Sequence, residues 1–107
     1  MKELLESVGK LAGEELARSY EKFPTFNSPH EGWAVIFEEC NEHTEDAGKI
    51  AGIMQVFWDH VKSNSVDAQR VSALQIKEAA IHAAAEAIQV AAMAQKFIDS
   101  EKIGGNP

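Results

Sequence analysis

Ser28-Pro29-His30-Glu31-Gly32-Trp33-Ala34-Val35-Ile36-Phe37-Glu38-Glu39-Cys40-Asn41-Glu42 opens as an unusually complete helix start. Ser28 is placed to cap, Pro29 takes the first helical position, where its missing N–H costs nothing, and Glu31 completes a capping box. At about 100° per residue, Trp33, Ile36, Phe37 and Cys40 share one face. Val35, Glu39, Glu42 and Asp46 form a narrow stripe on roughly the opposite face, with Glu38 beside it. One helix therefore carries an apolar seam, on which Cys40 is expected to be a buried thiol, and a column of three carboxylates at i, i+3 and i+7. That column is either a solvated face or half of a metal site.

Working outward, residues 2 to about 20 read as an amphipathic packing helix, with Leu4, Leu5, Val8, Leu11, Leu16 and Tyr20 at helical spacing. Pro24 stops it. The loop Lys22–Asn27 is too apolar at Phe23 and Phe26 for a purely solvated linker. Either both rings plug the end of a helix bundle, or the loop overhangs a pocket with an aromatic to stack on a base and Lys22 or Asn27 for polar contacts. On the other side, Ile50, Ile53, Met54, Phe57, Trp58 and Val61 continue a helical pattern, and Gly48 and Gly52 predict a break near the middle. Ser63-Asn64-Ser65 is a turn, with Ser65 as the cap of a last helix reaching about Glu101 and bending before Ile76. The fold class is all-α, a helical bundle of four to five helices over about 2–20, 29–47, 49–62 and 66–101, in one domain spanning 1–103 with a disordered tail over 104–107.

The bulk properties exclude several function classes. At 107 residues the core is modest. A net charge of −7 argues against a nucleic-acid surface, which needs clustered Lys and Arg. One cysteine cannot form an intrachain disulfide. No stretch reads as a signal peptide or membrane span, because His82, Glu86 and Gln89 interrupt the alanine-rich run, so a cytoplasmic protein without membrane attachment is expected.

That run, Ala79 to Ile98, is apolar nearly all round, which predicts burial on most sides and self-association through its small residues. Its polar groups are not scattered. His82, Glu86, Gln89 and Lys96 lie on one stripe, with Glu78 a turn before. A solvent face would more often carry several Glu and Lys residues. Facing this stripe with the earlier one sets Glu39 and Glu42 against Glu86, with Gln89 beside it. Carboxylates so gathered repel one another unless a cation lies between them, and Mg²⁺ suits a few carboxylates, retained waters and substrate phosphates. Lys96, about two and a half turns beyond Glu86, is placed to meet a phosphate further along. The spacings for a di-iron bundle, a P-loop, a His-Glu-x-x-His helix and a dinucleotide-binding turn are absent.

Glu38-Glu39-Cys40-Asn41-Glu42 matches the E-E-x-x-E motif of the MazG-like, all-α nucleoside triphosphate pyrophosphohydrolases, and FNSPHEGWAVIFEE and EAIQVAAMAQKFI resemble small phage- and prophage-type members of that group. The resemblance covers about a third of the chain. It implies a homodimer or homotetramer that hydrolyses a nucleoside triphosphate, ribo or deoxyribo, to the monophosphate and pyrophosphate with Mg²⁺, Mn²⁺ serving as a substitute. Carried over by position, Glu39, Glu42 and Glu86 are metal ligands and Glu38 an accessory carboxylate that orients a water. Gln89 stands where the family's E-x-x-D motif has Asp. It can coordinate through its carbonyl but brings no charge, so Asp46 and His82 become accessory candidates. Lys96 is the group expected to stabilise the departing pyrophosphate, and Lys22, Phe26, Asn27 and Trp33 are the expected substrate contacts. The alternative is a non-catalytic helical phage or host interaction protein derived from that fold, which Gln89 favours.

Overall fold

A computed structural model of the chain describes the backbone of residues 1–104 and the side chains of residues 1–100. The described residues form three helices and no strand: α1 (Lys2–Lys22), α2 (Pro29–Lys62) and α3 (Val66–Gly104). The tail expected over 104–107 lies, beyond Gly104 itself, outside the described residues.

The stop and start signals act as their chemistry demands. Phe23 adopts an extended backbone (φ −139°, ψ 112°), as a residue before proline must, and its N–H closes α1 on the Ser19 carbonyl. Ser28 Oγ accepts the Glu31 N–H at 3.1 Å. The Glu31 carboxylate does not return to Ser28, as a capping box would have it. It accepts the Asn27 backbone N–H at 3.0 Å and the Asn27 side-chain amide at 3.2 Å, tying down the residue before the cap. After α2, Asn64 takes a left-handed conformation (φ 58°). Its N–H reaches the Val61 carbonyl and the Ser65 N–H reaches His60, the pair of bonds that makes a Schellman ending.

Three long helices replace the expected four to five. Gly48 and Gly52 do not divide 29–47 from 49–62, and α3 runs unbroken through Ile76. A single helix glycine costs only about 1 kcal/mol relative to alanine. That is too little to open a helix propagating on both sides of it.

The chain resolves into two compact units. The first comprises Met1–Cys40 with the chain from Glu86 onward, and the second comprises Asn41–Ala85. In the first, the start of α2 and the end of α3 run antiparallel, with Gly32 buried against Phe97 and the Phe26 N–H bonded to Ser100 Oγ at 3.1 Å. α1 is joined to α3 by Tyr20, whose hydroxyl donates to Asp99 at 3.0 Å, and by Lys96, which donates to Ser19 Oγ at 2.8 Å. The second unit is a helical hairpin in which Asp46 of α2 meets His82 of α3 and the Gln69 amide donates to the His60 carbonyl.

Two packing expectations are overturned. α1 buries no residue, and Leu4, Leu5 and Leu11 are exposed. The seam of α2 is likewise open: Trp33 is 63% and Phe37 49% exposed, their rings stacked at 4.8 Å, and Cys40 is an exposed thiol rather than a buried one. Periodicity states which face of a helix is apolar but not whether anything covers it. The alanine-rich part of α3 is buried at Ala83 and Ala92, while Ile81 and Ile98 are exposed. Among the described residues no helix is long and apolar enough to cross a membrane.

Candidate functional site

Lys96 is the most unusual side chain of the first unit. It is 1% exposed. Its ammonium donates to Ser19 Oγ and lies 5.5 Å from the Tyr20 ring centre, 5.7 Å from Phe23 and 5.3 Å from Phe26. The end of α1 delivers Ser19 and Tyr20, and the extended turn at Phe23-Pro24 swings both phenylalanines over the end of α3. Burial pushes the Lys96 amine below the usual lysine range, and the Glu31 carboxylate partly offsets this. Burial and the neighbouring Asp99 carboxylate push the Tyr20 hydroxyl up. An ammonium has three donors, so the single bond to Ser19 leaves capacity for an incoming anion.

Lys96, Ser19, Phe23 and Phe26 line a groove of about 770 Å³ that also takes in Arg18, Lys22, Asn27, Glu31, Val35 and Met93. The loop thus overhangs a cavity, and Lys22, Phe26, Asn27 and Lys96, assigned to the substrate from sequence, share it. Trp33 does not. It lines a separate apolar groove of about 270 Å³ with Ile36, Phe37, Cys40 and Phe97. The reason is angular: Trp33 and Val35 project about 200° apart on the helix, and it is Val35 that faces the larger cavity.

Val35 and Met93 lead along their helices to the carboxylates, since Glu39 follows Val35 by one turn and Gln89 and Glu86 precede Met93 by one and two. Glu39 and Glu86 each bring a carboxylate oxygen within 4.8 Å of the other. Both are half-buried, as is Gln89, and Glu38 is exposed. Glu86 Oε2 is buried and makes no hydrogen bond among the described residues. Glu42, exposed, follows Glu39 by one turn of α2 and belongs to the second unit with Asp46 and His82. The division at Cys40/Asn41 and Ala85/Glu86 therefore passes through the residues that the sequence groups as one cluster.

In the second unit Asp46 is buried and fully engaged. Its Oδ2 meets His82 Nδ1 at 2.7 Å and its Oδ1 accepts from Lys49 Nζ at 3.2 Å. The bond to His82, then that to Lys49, holds the Asp46 carboxyl below the usual carboxylate range against the opposing effect of burial. The pair borders a groove of about 640 Å³ with Glu78 and Gln75 on its wall.

Sequence reasoning missed Ser19 and Arg18 as groove residues, Tyr20 as a neighbour of Lys96 and Asp99, and Lys49 as a partner of Asp46. The i+3 spacing of Asp46 and Lys49 was readable as a helix pair. Nothing local marks Ser19 and Tyr20, which meet Lys96 and Asp99 from 77 and 79 residues away. No protein-family model, curated protein or solved structure matches the chain.

Proposed function

We propose that the chain is a MazG-like, Mg²⁺-dependent nucleoside triphosphate pyrophosphohydrolase, converting an NTP or dNTP to the monophosphate and pyrophosphate in a cytoplasmic, phage-type setting. The observation that carries this reading is the Glu39–Glu86 pair. Glu39 and Glu86 bring carboxylate oxygens within 4.8 Å of one another, and the buried Glu86 Oε2, which makes no hydrogen bond among the described residues, is the oxygen that a bound cation would engage. The donor set within the first unit suits a hard divalent ion: the Glu39 and Glu86 carboxylates, with Gln89 as a neutral oxygen donor. Glu42, the further ligand that the E-E-x-x-E resemblance implies, follows Glu39 by one turn of α2. Mg²⁺, or Mn²⁺ in its place, supplies polarisation of the phosphates there.

The chain's own residues supply the rest. Phe23 and Phe26 offer rings to a nucleobase, Asn27 offers its amide oxygen, and Lys22, Arg18 and Lys96 bring positive charge to the phosphates. Ten residues of α3 separate Lys96 from Glu86, a rise of about 15 Å, so a ligand using both is extended. Glu38, exposed beside Glu39, is the carboxylate free to orient the water that attacks the α-phosphorus while pyrophosphate departs. Self-association as a dimer or tetramer draws support from the uncovered Trp33–Phe37 stack and the bare apolar stripe of α1.

The second reading, a non-catalytic helical interaction protein, is favoured by Gln89 in place of the motif's Asp and by the same open seam. Pyrophosphate release against a panel of ribo- and deoxyribonucleoside triphosphates, with Mg²⁺ and then Mn²⁺, separates the two. Turnover that disappears in Glu42→Gln supports the hydrolase. No turnover on any nucleotide together with no metal binding supports the interaction protein.

A further inference from the structure

The Asp46–His82 pair is asymmetric in a way that a structural ion pair does not explain. The Asp46 side chain is 11% exposed, whereas the His82 ring it holds is 69% exposed. Burying a carboxylate is costly, and the contact of an exposed ring with it stabilises a fold little. What the arrangement does achieve is orientation. Oδ1 is occupied by Lys49, so Oδ2 is the oxygen left for the imidazole. An ionised carboxylate can only accept, so the proton of the neutral ring lies on Nδ1 and the Nε2 lone pair is left open.

An imidazole whose Nδ1–H is held by a carboxylate, with Nε2 free, is the arrangement that protein metal sites use to fix a histidine ligand. Glu78 stands one turn before His82 on α3 and lines the same groove, which at about 640 Å³ leaves room for retained waters. We propose that His82, oriented by Asp46 and joined by Glu78, forms an open coordination site for a divalent transition ion such as Zn²⁺ in the second unit. His82 Nε2 and a Glu78 oxygen are the protein ligands, water completes the shell, and Asp46 is a positioning residue. Imidazole nitrogen favours Zn²⁺ over Mg²⁺, which prefers oxygen, so this site and the Glu39–Glu86 pair differ in the ion they select. The inference does not rest on the hydrolase reading.

The test is a Zn²⁺ titration of the full chain followed through the imidazole ¹⁵N signals of His30, His43, His60 and His82, with Mg²⁺ run in parallel. The expected result is a Zn²⁺-induced shift at His82 Nε2 that Mg²⁺ does not produce. His82→Gln should abolish that binding, and Asp46→Asn should weaken it by about 10- to 100-fold. Glu78→Gln, on an exposed position, weakens it without touching the fold and keeps the test valid where Asp46→Asn proves unstable. Glu39→Gln should leave Zn²⁺ affinity unchanged. A His82 signal unmoved by Zn²⁺, a Glu78→Gln variant that binds like the parent, or binding lost in Glu39→Gln but retained in His82→Gln would each overturn the proposal.

Discussion

Gly32→Ala is a small change with a large expected cost. A Cβ at this position would lie 2.5 and 3.0 Å from two ring atoms of Phe97 and 2.9 Å from Phe26 Cδ2. Both neighbours are aromatic rings rather than the far ends of flexible chains, so neither yields cheaply. Overpacking of this kind costs about 1–3 kcal/mol. Against it stands the helix-propensity gain of alanine over glycine, about 1 kcal/mol. The net expectation is destabilisation by about 1 kcal/mol, and up to about 2 if the rings do not move. Gly48→Ala is the matched control, because no atom lies within 4 Å of its would-be Cβ. There the same propensity term acts alone and stabilises by about 1 kcal/mol. Urea unfolding of the two variants, compared at a common slope, should separate their midpoints in opposite directions from the parent. If Gly32→Ala matched Gly48→Ala in stability, the close approach of α2 to Phe97 and Phe26 would be refuted, and with it the geometry of the groove that Phe26 borders.

Lys96→Met removes a buried ammonium whose amine lies below the ordinary lysine range. The unfolded chain then binds more protons than the folded one between the two values, so parent stability rises as pH climbs toward about 10.4. The variant should lack that rise in unfolding midpoints measured across the range. Tyr20, shifted up, works the other way, and its contribution falls away as pH passes its unfolded value near 10. Asp46 is shifted down, so its contribution is complete above the unfolded value near 4 and is lost as pH falls through the lower folded value. Asp46→Asn should flatten the acid limb of a stability-against-pH curve, and an unchanged limb would contradict the pairing with His82. Trp33→Glu places a charge on the exposed ring stack and should shift sedimentation toward monomer, whereas an oligomer that survives it does not use this face. Glu86→Gln should abolish the rise in melting temperature that Mg²⁺ gives the parent protein, and a rise that survives in the variant would place the ion elsewhere.

What could be read from the sequence was local. Ser28, Pro29 and Glu31 mark the start of α2, Pro24 the end of α1, and Ser63-Asn64-Ser65 the hairpin turn, because caps and turns are set by a few adjacent residues. The two glycines of α2 misled, since their cost is smaller than the cooperativity of a long helix. The stripe of His82, Glu86, Gln89 and Lys96 was visible as a line, but not that it runs from an exposed ring at one end to a buried ammonium at the other. That difference comes from Tyr20, Phe23 and Phe26, which reach Lys96 only through the folding of α1 and its loop. The openness of the Trp33 seam was hidden for the same reason: a helical wheel has no information on what lies opposite.

The central claim is the bond that is cut. ³¹P NMR of a nucleoside triphosphate incubated with the protein and Mg²⁺, alongside Glu86→Gln, reads it directly. The account predicts paired signals of nucleoside monophosphate and pyrophosphate that are absent in the variant. A diphosphate with free phosphate, or an unchanged triphosphate in the presence of bound metal, would contradict it.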